Sequence, residues 1–258
     1  MVTSIAQLGR SRPVALVTGG ARRVGAEVCQ TLAAANMDIL FTFQHSSDEA
    51  ATLTAELSSL DITACALPLD LANPSQVDSF CDELTQELPR LDALVHNAAM
   101  YEPSPIADLT PEDLARHFQI NALAPAILSA RLAPMLRHSD SPAGGSIVAM
   151  CDIHAMGRPR RNFLAYSMSK AALAEMVRSL ARQLAPDIRV NGVAPGVVAF
   201  PDSGFESDPA LQERYLSRVP LKRAGTPTDA AEVVRWLTLD AAYVTGEIIR
   251  LDGGRWLT

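Results

Sequence analysis

The stretch VALVTGGARRVG, residues 14–25, decides how the rest of the chain is read. Its opening VALV is apolar without alternation, as expected of a strand covered on both faces. The run passes directly into Gly19, Gly20 and Gly25, after which helical periodicity begins. Glycines between a strand and a helix let the backbone turn tightly, and the helix N-terminus then offers unpaired N–H groups to an anion. Such a turn alone is common in any fold. Placed after the first strand and before the first helix, it points to a dinucleotide pyrophosphate.

Outward from this unit, short apolar runs alternate with longer helical patterns, the signature of βαβ units and a parallel sheet. Strands are predicted at Val14–Thr18, Ile39–Phe43, Ile62–Leu69, Leu91–His96, Ser146–Met150, Ile188–Val193 and Glu247–Leu251. Helices are predicted near Gly25–Ala35, Asp48–Leu60, Ser75–Leu88, Pro111–Arg137, Leu164–Leu184 and Pro227–Asp240. Asn73-Pro74 and Thr110-Pro111 each pair an N-cap residue with a proline suited to the first helical position. No linker or internal repeat divides the text, so one α/β domain is expected over 1–258, with 1–12 as an N-terminal tail. One region, 197–218, breaks the pattern, and its first part, VVAFPDSGFESD (197–208), has no sustained period. It follows a strand's carboxyl end, where open parallel sheets bind ligands, so a substrate loop is expected rather than a solvated connection.

Composition narrows the function. The 258 residues are 48% hydrophobic and carry a net charge of −7, which argues against a nucleic-acid protein. Cys29, Cys65, Cys81 and Cys151 are scattered and form no C-x-x-C pair, so neither a zinc ribbon nor a disulfide framework is expected, and no metal site. Met1–Pro13 has no apolar run fit for a signal peptide, and no stretch approaches the ~18 residues of a membrane span. A cytoplasmic enzyme with a small-molecule substrate and no membrane partner is the expectation.

Thr18, Gly19 and Gly25 match the TGxxxGxG fingerprint of short-chain dehydrogenases/reductases, and the chain resembles that family from Val14 to Gly254. The resemblance implies a single doubly wound Rossmann domain, a central, mostly parallel seven-stranded sheet flanked by helices. Arg23 stands where the middle glycine is usual; it resembles the pteridine reductase branch, and would reach the pyrophosphate or a ligand beside it unless it is simply solvated. Arg22 and Val24 complete the turn. The second strand ends FTFQHSS, with no carboxylate to repel a 2′-phosphate, so NADPH is the expected cofactor. Ser46 and Ser47 would hold that phosphate, aided by His45 and Arg22, or else the serines merely cap the next helix. Asp70 and Leu71 resemble the adenine contact, unless Asp70 is an ordinary helix cap. Asn97, Ala98 and Ala99 resemble the NNAG motif, whose Asn is structural with a cofactor contact nearby.

Tyr166 and Lys170 are four apart in AYSMSKAALAEMVRSLARQLA, on one helix face. A neighbouring ammonium is expected to lower the phenol from its usual ~10 and make it a usable acid. GSIVAMCD (145–152) resembles the strand that ends in the family's catalytic serine. Counting along the strand puts Asp152 at that position, while counting back from Tyr166 lands on Ile153. Register outranks loop length, because a slip of one turns every side chain over; one residue is therefore inserted between Asp152 and Tyr166. Asp152 again resembles the pteridine reductase branch, or serves as a plain cap. Asn121 matches the fourth catalytic residue, a water-binding amide in the proton relay, with a structural hydrogen bond as the other reading. Arg189–Gly196 resembles the segment beside the nicotinamide, which assigns Pro195, Gly196 and Val198 to the cofactor. Phe200 replaces the usual threonine, and Tyr101 matches the branch's stacking aromatic or is a half-exposed loop ring. Leu251–Gly254 resembles the terminal motif near subunit contacts, and a homotetramer is implied.

These resemblances imply an NADPH-dependent reductase of a pterin or folate, with Tyr166 and Asp152 moving the proton and Arg23, Tyr101, Asp152, Tyr166 and Phe200 around the substrate. A generic carbonyl or 3-oxoacyl thioester reductase on the same scaffold is the alternative. A non-catalytic NADP(H)-sensing protein would have no use for Tyr166, Lys170 and Asn121.

Overall fold

A computed structural model describes residues 5–200 and 205–258. Seven strands form one sheet: β1 (Val14–Val17), β2 (Asp38–Phe43), β3 (Ala64–Pro68), β4 (Ala93–His96), β5 (Gly145–Met150), β6 (Ile188–Pro195) and β7 (Ile248–Leu251). Their order is β3-β2-β1-β4-β5-β6-β7, and every pairing is parallel, so the sheet is wholly rather than mostly parallel. The order reverses between β1 and β4, which opens a crevice at the carboxyl ends of the strands.

Side chains alternate between two cores because strand residues point to opposite faces. Val14 and Leu16 join one core with α3 (Pro74–Glu87), α5 (Ala124–Leu136) and α6 (Leu164–Leu184). Ala15 and Val17 join the other with α1 (Arg23–Ala34), α2 (Ser47–Ser58) and α8 (Pro227–Leu239). Both faces are thus covered, which explains the unbroken apolar runs. Among the described residues no helix is long and apolar enough to cross a membrane.

Three departures from expectation have physical causes. The expected helix Pro111–Arg137 is α4 (Pro111–Phe118), a π turn over Gln119–Leu123, and α5. Pro125 has no N–H to give the Asn121 carbonyl, and the Ala124 amide reaches back five residues to Gln119. The supposed N-terminal tail is partly core, since Ile5 and Leu8 are buried beneath α3 and the Gly9 amide donates to Asp38 Oδ2 at 3.0 Å. Within 197–218 the chain forms a 3₁₀ turn at Phe205–Ser207 and then α7 (Pro209–Leu216), capped by the Asp208 side chain on the Ala210 amide. The rest of the aperiodic stretch, 201–204, lies outside the described residues.

Candidate active site

The glycine turn is built by contact. A Cβ on Gly25 would lie 2.2 Å from the Gly19 carbonyl oxygen and 2.6 Å from Asn97 Nδ2, so no other residue fits there. Gly19 has φ of +62° and lies against Ala98, again a position for glycine. Asn97 Nδ2 donates to the Thr18 and Gly19 carbonyls at 3.0 and 2.9 Å, so its side chain clamps β4 to the turn. The Asn97 and Ala98 amides both donate to Thr18 Oγ1.

A cavity of about 440 Å³ opens from this turn over the carboxyl ends of β2 and β3. Gly19, His45, Asp70, Leu71, Ala98 and Ala99 line it, and it leads to Tyr101. Asp70 Oδ1 accepts from the Ala72 amide, leaving Oδ2 for a ligand. No acidic residue occupies the first turn of α1, whose positive end therefore stays unneutralised toward an anion. Ser46 is the residue before α2, yet its hydroxyl makes no cap hydrogen bond. Arg22 lies 3.6 Å from Glu49, a carboxylate in the first turn of α2. The residues present thus fit a dinucleotide lying across the switch point.

Arg23 holds a left-handed backbone, φ +53°, and its guanidinium donates to the Ala199 and Phe200 carbonyls at 3.2 and 3.3 Å. It ties the glycine turn to the loop after β6. Val24 packs against the core behind it.

At the end of β5 the Tyr166 hydroxyl donates to Asp152 Oδ2 at 2.7 Å, while Asp152 Oδ1 accepts from the His154 amide at 2.6 Å. Ile153 is fully buried in the core, so Asp152 is the residue that faces Tyr166. Lys170 Nζ donates to the Met150 carbonyl at 2.6 Å. The sequence led us to expect an ammonium lowering the phenol. Instead, burial first and the Asp152 carboxylate second hold Tyr166 well above its ordinary value, and burial holds Lys170 below its own. Asn121 Oδ1 accepts from the Met100 amide, and its Nδ2 donates to the Met100 carbonyl and Ser169 Oγ, at 2.8 to 2.9 Å. Its side chain thereby pins the segment after β4 to the π turn and α6.

A second cavity, about 760 Å³, lies beyond Tyr166 and is shared by Tyr101, Arg23, Asp152 and the segment Pro195–Phe200. The Gly196 amide donates to the Leu251 carbonyl, which fixes this segment to β7. Gly225 carries no Cβ where Val198 Cγ1 would lie 3.1 Å away. Phe200 packs edge-on against Tyr215, centroids 6.3 Å apart.

Sequence reasoning missed the partners of Tyr101. Its ring stacks on Phe163 at 4.7 Å and 19°, and meets Tyr166 edge-on at 4.8 Å. Arg160 lies over both the Tyr101 and Phe163 rings and forms an ion pair with Glu206. Glu206 also accepts from the Tyr101 hydroxyl at 3.2 Å. Burial pushes the Tyr101 phenol up to about 12. These residues come from a loop before α6 and a turn before α7, where no periodicity marks them. The only local signal was the arginine run at 158, 160 and 161.

A family model described as enoyl-(acyl carrier protein) reductase matches residues 19–255. The chain is 28% identical to 7alpha-hydroxysteroid dehydrogenase of Escherichia coli strain K12, over 93% of this chain and 92% of that protein. It is 31% identical to pteridine reductase 1 of Leishmania tarentolae, over 95% of this chain and 97% of that protein. Among solved structures, a blue fluorescent protein from a metagenomic library, in complex with NADPH, superposes with a TM-score of 0.84 at 32% identity, covering 94% of this chain and 97% of that one. FolM alternative dihydrofolate reductase 1 from Brucella canis, complexed with NADP, gives 0.84 at 29%, covering 95% of each chain.

Proposed function

The chain belongs to the short-chain dehydrogenase/reductase family of NAD(P)H-dependent oxidoreductases, and from that premise we propose that it is an NADPH-dependent pteridine reductase. One observation carries the substrate reading: the 2.7 Å hydrogen bond from Tyr166 to Asp152. It presents a donor and a charged acceptor side by side. An ionised carboxylate accepts only, so a simple ketone would compete with Asp152 for the tyrosine's proton and leave the carboxylate facing nothing. A reduced pterin ring has N–H groups and imine nitrogens along its edges, and satisfies both at once. The aromatic face of Tyr101 and the cation of Arg23 suit the same flat, electron-rich ring.

In this reading the nicotinamide of bound NADPH supplies the hydride. Tyr166 delivers a proton to ring nitrogen. Asp152 accepts from a neighbouring N–H and orients the ring. Lys170, held by the Met150 carbonyl, offsets the negative charge left on the Tyr166–Asp152 pair. Asn121 fixes the spacing between α6 and the segment bearing Tyr101. Ser46, Ser47 and Arg22 take the 2′-phosphate, His45 and Asp70 flank the adenosine, and Pro195, Gly196 and Val198 back the nicotinamide. Leu123 at the end of the π turn and Ile127 on α5, with Leu164 and Met168 on α6, expose 39–51% of their area and suit a homotetramer contact.

The test follows NADPH oxidation with dihydrobiopterin and dihydrofolate against an acetoacetyl thioester. Pterin turnover is the expected result. Turnover of the thioester alone overturns the reading in favour of an acyl thioester reductase, the reading that the matched family model's description favours.

A further inference from the structure

The chain as a whole is acidic, with 22 basic and 29 acidic side chains. Its substrate cleft is the reverse. Six arginines line it, Arg23, Arg160, Arg161, Arg214, Arg218 and Arg255, against the carboxylates of Asp152 and Glu206. Two of the six are engaged by oxygens of the cleft: Arg23 with the Ala199 and Phe200 carbonyls, and Arg160 with Glu206. Among the described residues the other four form no ion pair with an Asp or Glu side chain.

Arg255 is the telling one. It is only 7% exposed, and its Nε has no hydrogen-bond partner. Its Nη1 donates to the oxygen and Oγ1 of Thr258, and its guanidinium lies 5.5 Å over the Tyr215 ring. Arg158 Nη1 donates to the Arg255 carbonyl, which brings a further cation alongside. Burial, and then the positive charge of Arg158, hold the Arg255 guanidinium below its ordinary value, against the opposing pull of Tyr215 and Asp252. A largely buried guanidinium with an unpartnered Nε gains from an arriving anion. Arg214 on α7 and Arg218, two residues past its end, stand exposed and line the same cavity.

We propose that the cleft takes a pterin whose far end bears carboxylates, a folate-type conjugate rather than a pterin with an uncharged side chain, and that Arg214, Arg218 and Arg255 hold those carboxylates. The proposal rests on the pteridine reading above and names the substrate class within it. Asp152, Tyr166, Arg214, Arg218 and Arg255 all line the one 760 Å³ cavity. Room for a bicyclic ring and a tail is therefore continuous with the reacting end. Guanidinium forks pair with carboxylates bidentately, so the site selects an anion by geometry as well as charge.

The test measures binding of three probes to the protein saturated with NADPH: methotrexate, its neutral dimethyl ester, and 2,4-diamino-6-hydroxymethylpteridine. The two forms of methotrexate differ in charge and hardly in size. Methotrexate should bind at least tenfold more tightly than its ester. The R214A/R218A double variant, changed only at exposed positions, should bring that ratio below threefold, and raising salt from 50 to 500 mM should shrink it in the wild type. A wild-type ratio within twofold, or one that the double variant leaves intact, overturns the proposal while the pteridine reading stands. Failure of all three probes to bind overturns the pteridine reading itself, and this proposal with it.

Discussion

Replacing Asp152 with asparagine keeps the shape of the side chain and removes its charge, which separates two consequences of the contact with Tyr166. The phenol sits 2.7 Å from Asp152 Oδ2 and is 6% exposed, so solvent screens the pair little. A hydrogen bond to a charged group is worth about 1.5–3 kcal/mol. At ~1.4 kcal/mol per unit of pKa, the phenol of D152N should fall by about one to two units. Burial is the larger cause and is untouched, so the phenol should remain above the value of an exposed tyrosine. The readout is tyrosinate absorbance at 295 nm against pH, with Y166F subtracted to isolate this residue.

A phenol made more acidic would speed proton delivery if acidity were the only issue. The pterin reading requires the opposite outcome, because asparagine loses the charged acceptor for a ring N–H. That loss should lower kcat/KM for dihydropterins by about 30- to 150-fold, the equivalent of ~2–3 kcal/mol. Asp152→Ser should share the defect with pterins yet improve turnover of small carbonyl compounds, since serine supplies a donor. A D152N enzyme within threefold of wild type on pterins would refute the role given to the carboxylate. A tyrosinate curve that does not move would refute the electrostatic account of Tyr166.

Tyr166→Phe should reduce turnover by ~10²–10⁴ while NADPH affinity changes less than threefold, by fluorescence titration, if the hydroxyl donates the proton as proposed; more than a tenth of wild-type rate would remove it from that role. Wild type should use NADPH at least tenfold more efficiently than NADH, and Ser46→Asp should erase that preference, worth ~1.4 kcal/mol. Ser46 makes no cap bond to lose, so unchanged selectivity in steady-state kinetics would mean that the phosphate lies elsewhere. His96 is fully buried, with Nε2 2.8 Å from Ser129 Oγ, and burial, then Lys170, push it down to about 3. Its folded value lies below the unfolded ~6.5, so the folded state binds fewer protons and stability drains away as pH falls from ~6.5 toward 3. His96→Gln should flatten that acid limb in urea titrations at pH 6.5 to 4, and parallel curves for both proteins would exclude His96 as its source.

The sheet was legible because its strands are buried on both faces, which leaves unbroken apolar runs, and because glycines and caps punctuate them. The π turn was not, since α4 and α5 share one continuous helical period and the break depends on the single missing amide of Pro125. Ile5 and Leu8 read as tail because a buried 3₁₀ turn leaves no periodicity. At the site, Tyr166, Lys170 and Asp152 stood out by spacing and register. Which group would govern the tyrosine did not, because that depends on which side chain reaches it through space. Lys170 reached the Met150 carbonyl instead, and Asp152 took the phenol. Phe163, Arg160 and Glu206 were invisible for the same reason: two separate segments, before α6 and before α7, bring them to Tyr101.

Charge placement also decides which electrostatic effect wins at the cleft. A net charge of −7 spread over the surface would on its face oppose both a phosphorylated cofactor and a carboxylated substrate. Surface charges act over only ~8 Å at physiological ionic strength, so distant carboxylates are largely screened at the cleft mouth. Guanidiniums lining the cavity are the charges adjacent to a ligand inside it, and the low dielectric around the buried Arg255 strengthens its pull. The acidic exterior and the basic interior are therefore not in conflict. An acidic exterior favours solubility in general, and under the proposal above the arginines would favour a carboxylated ligand.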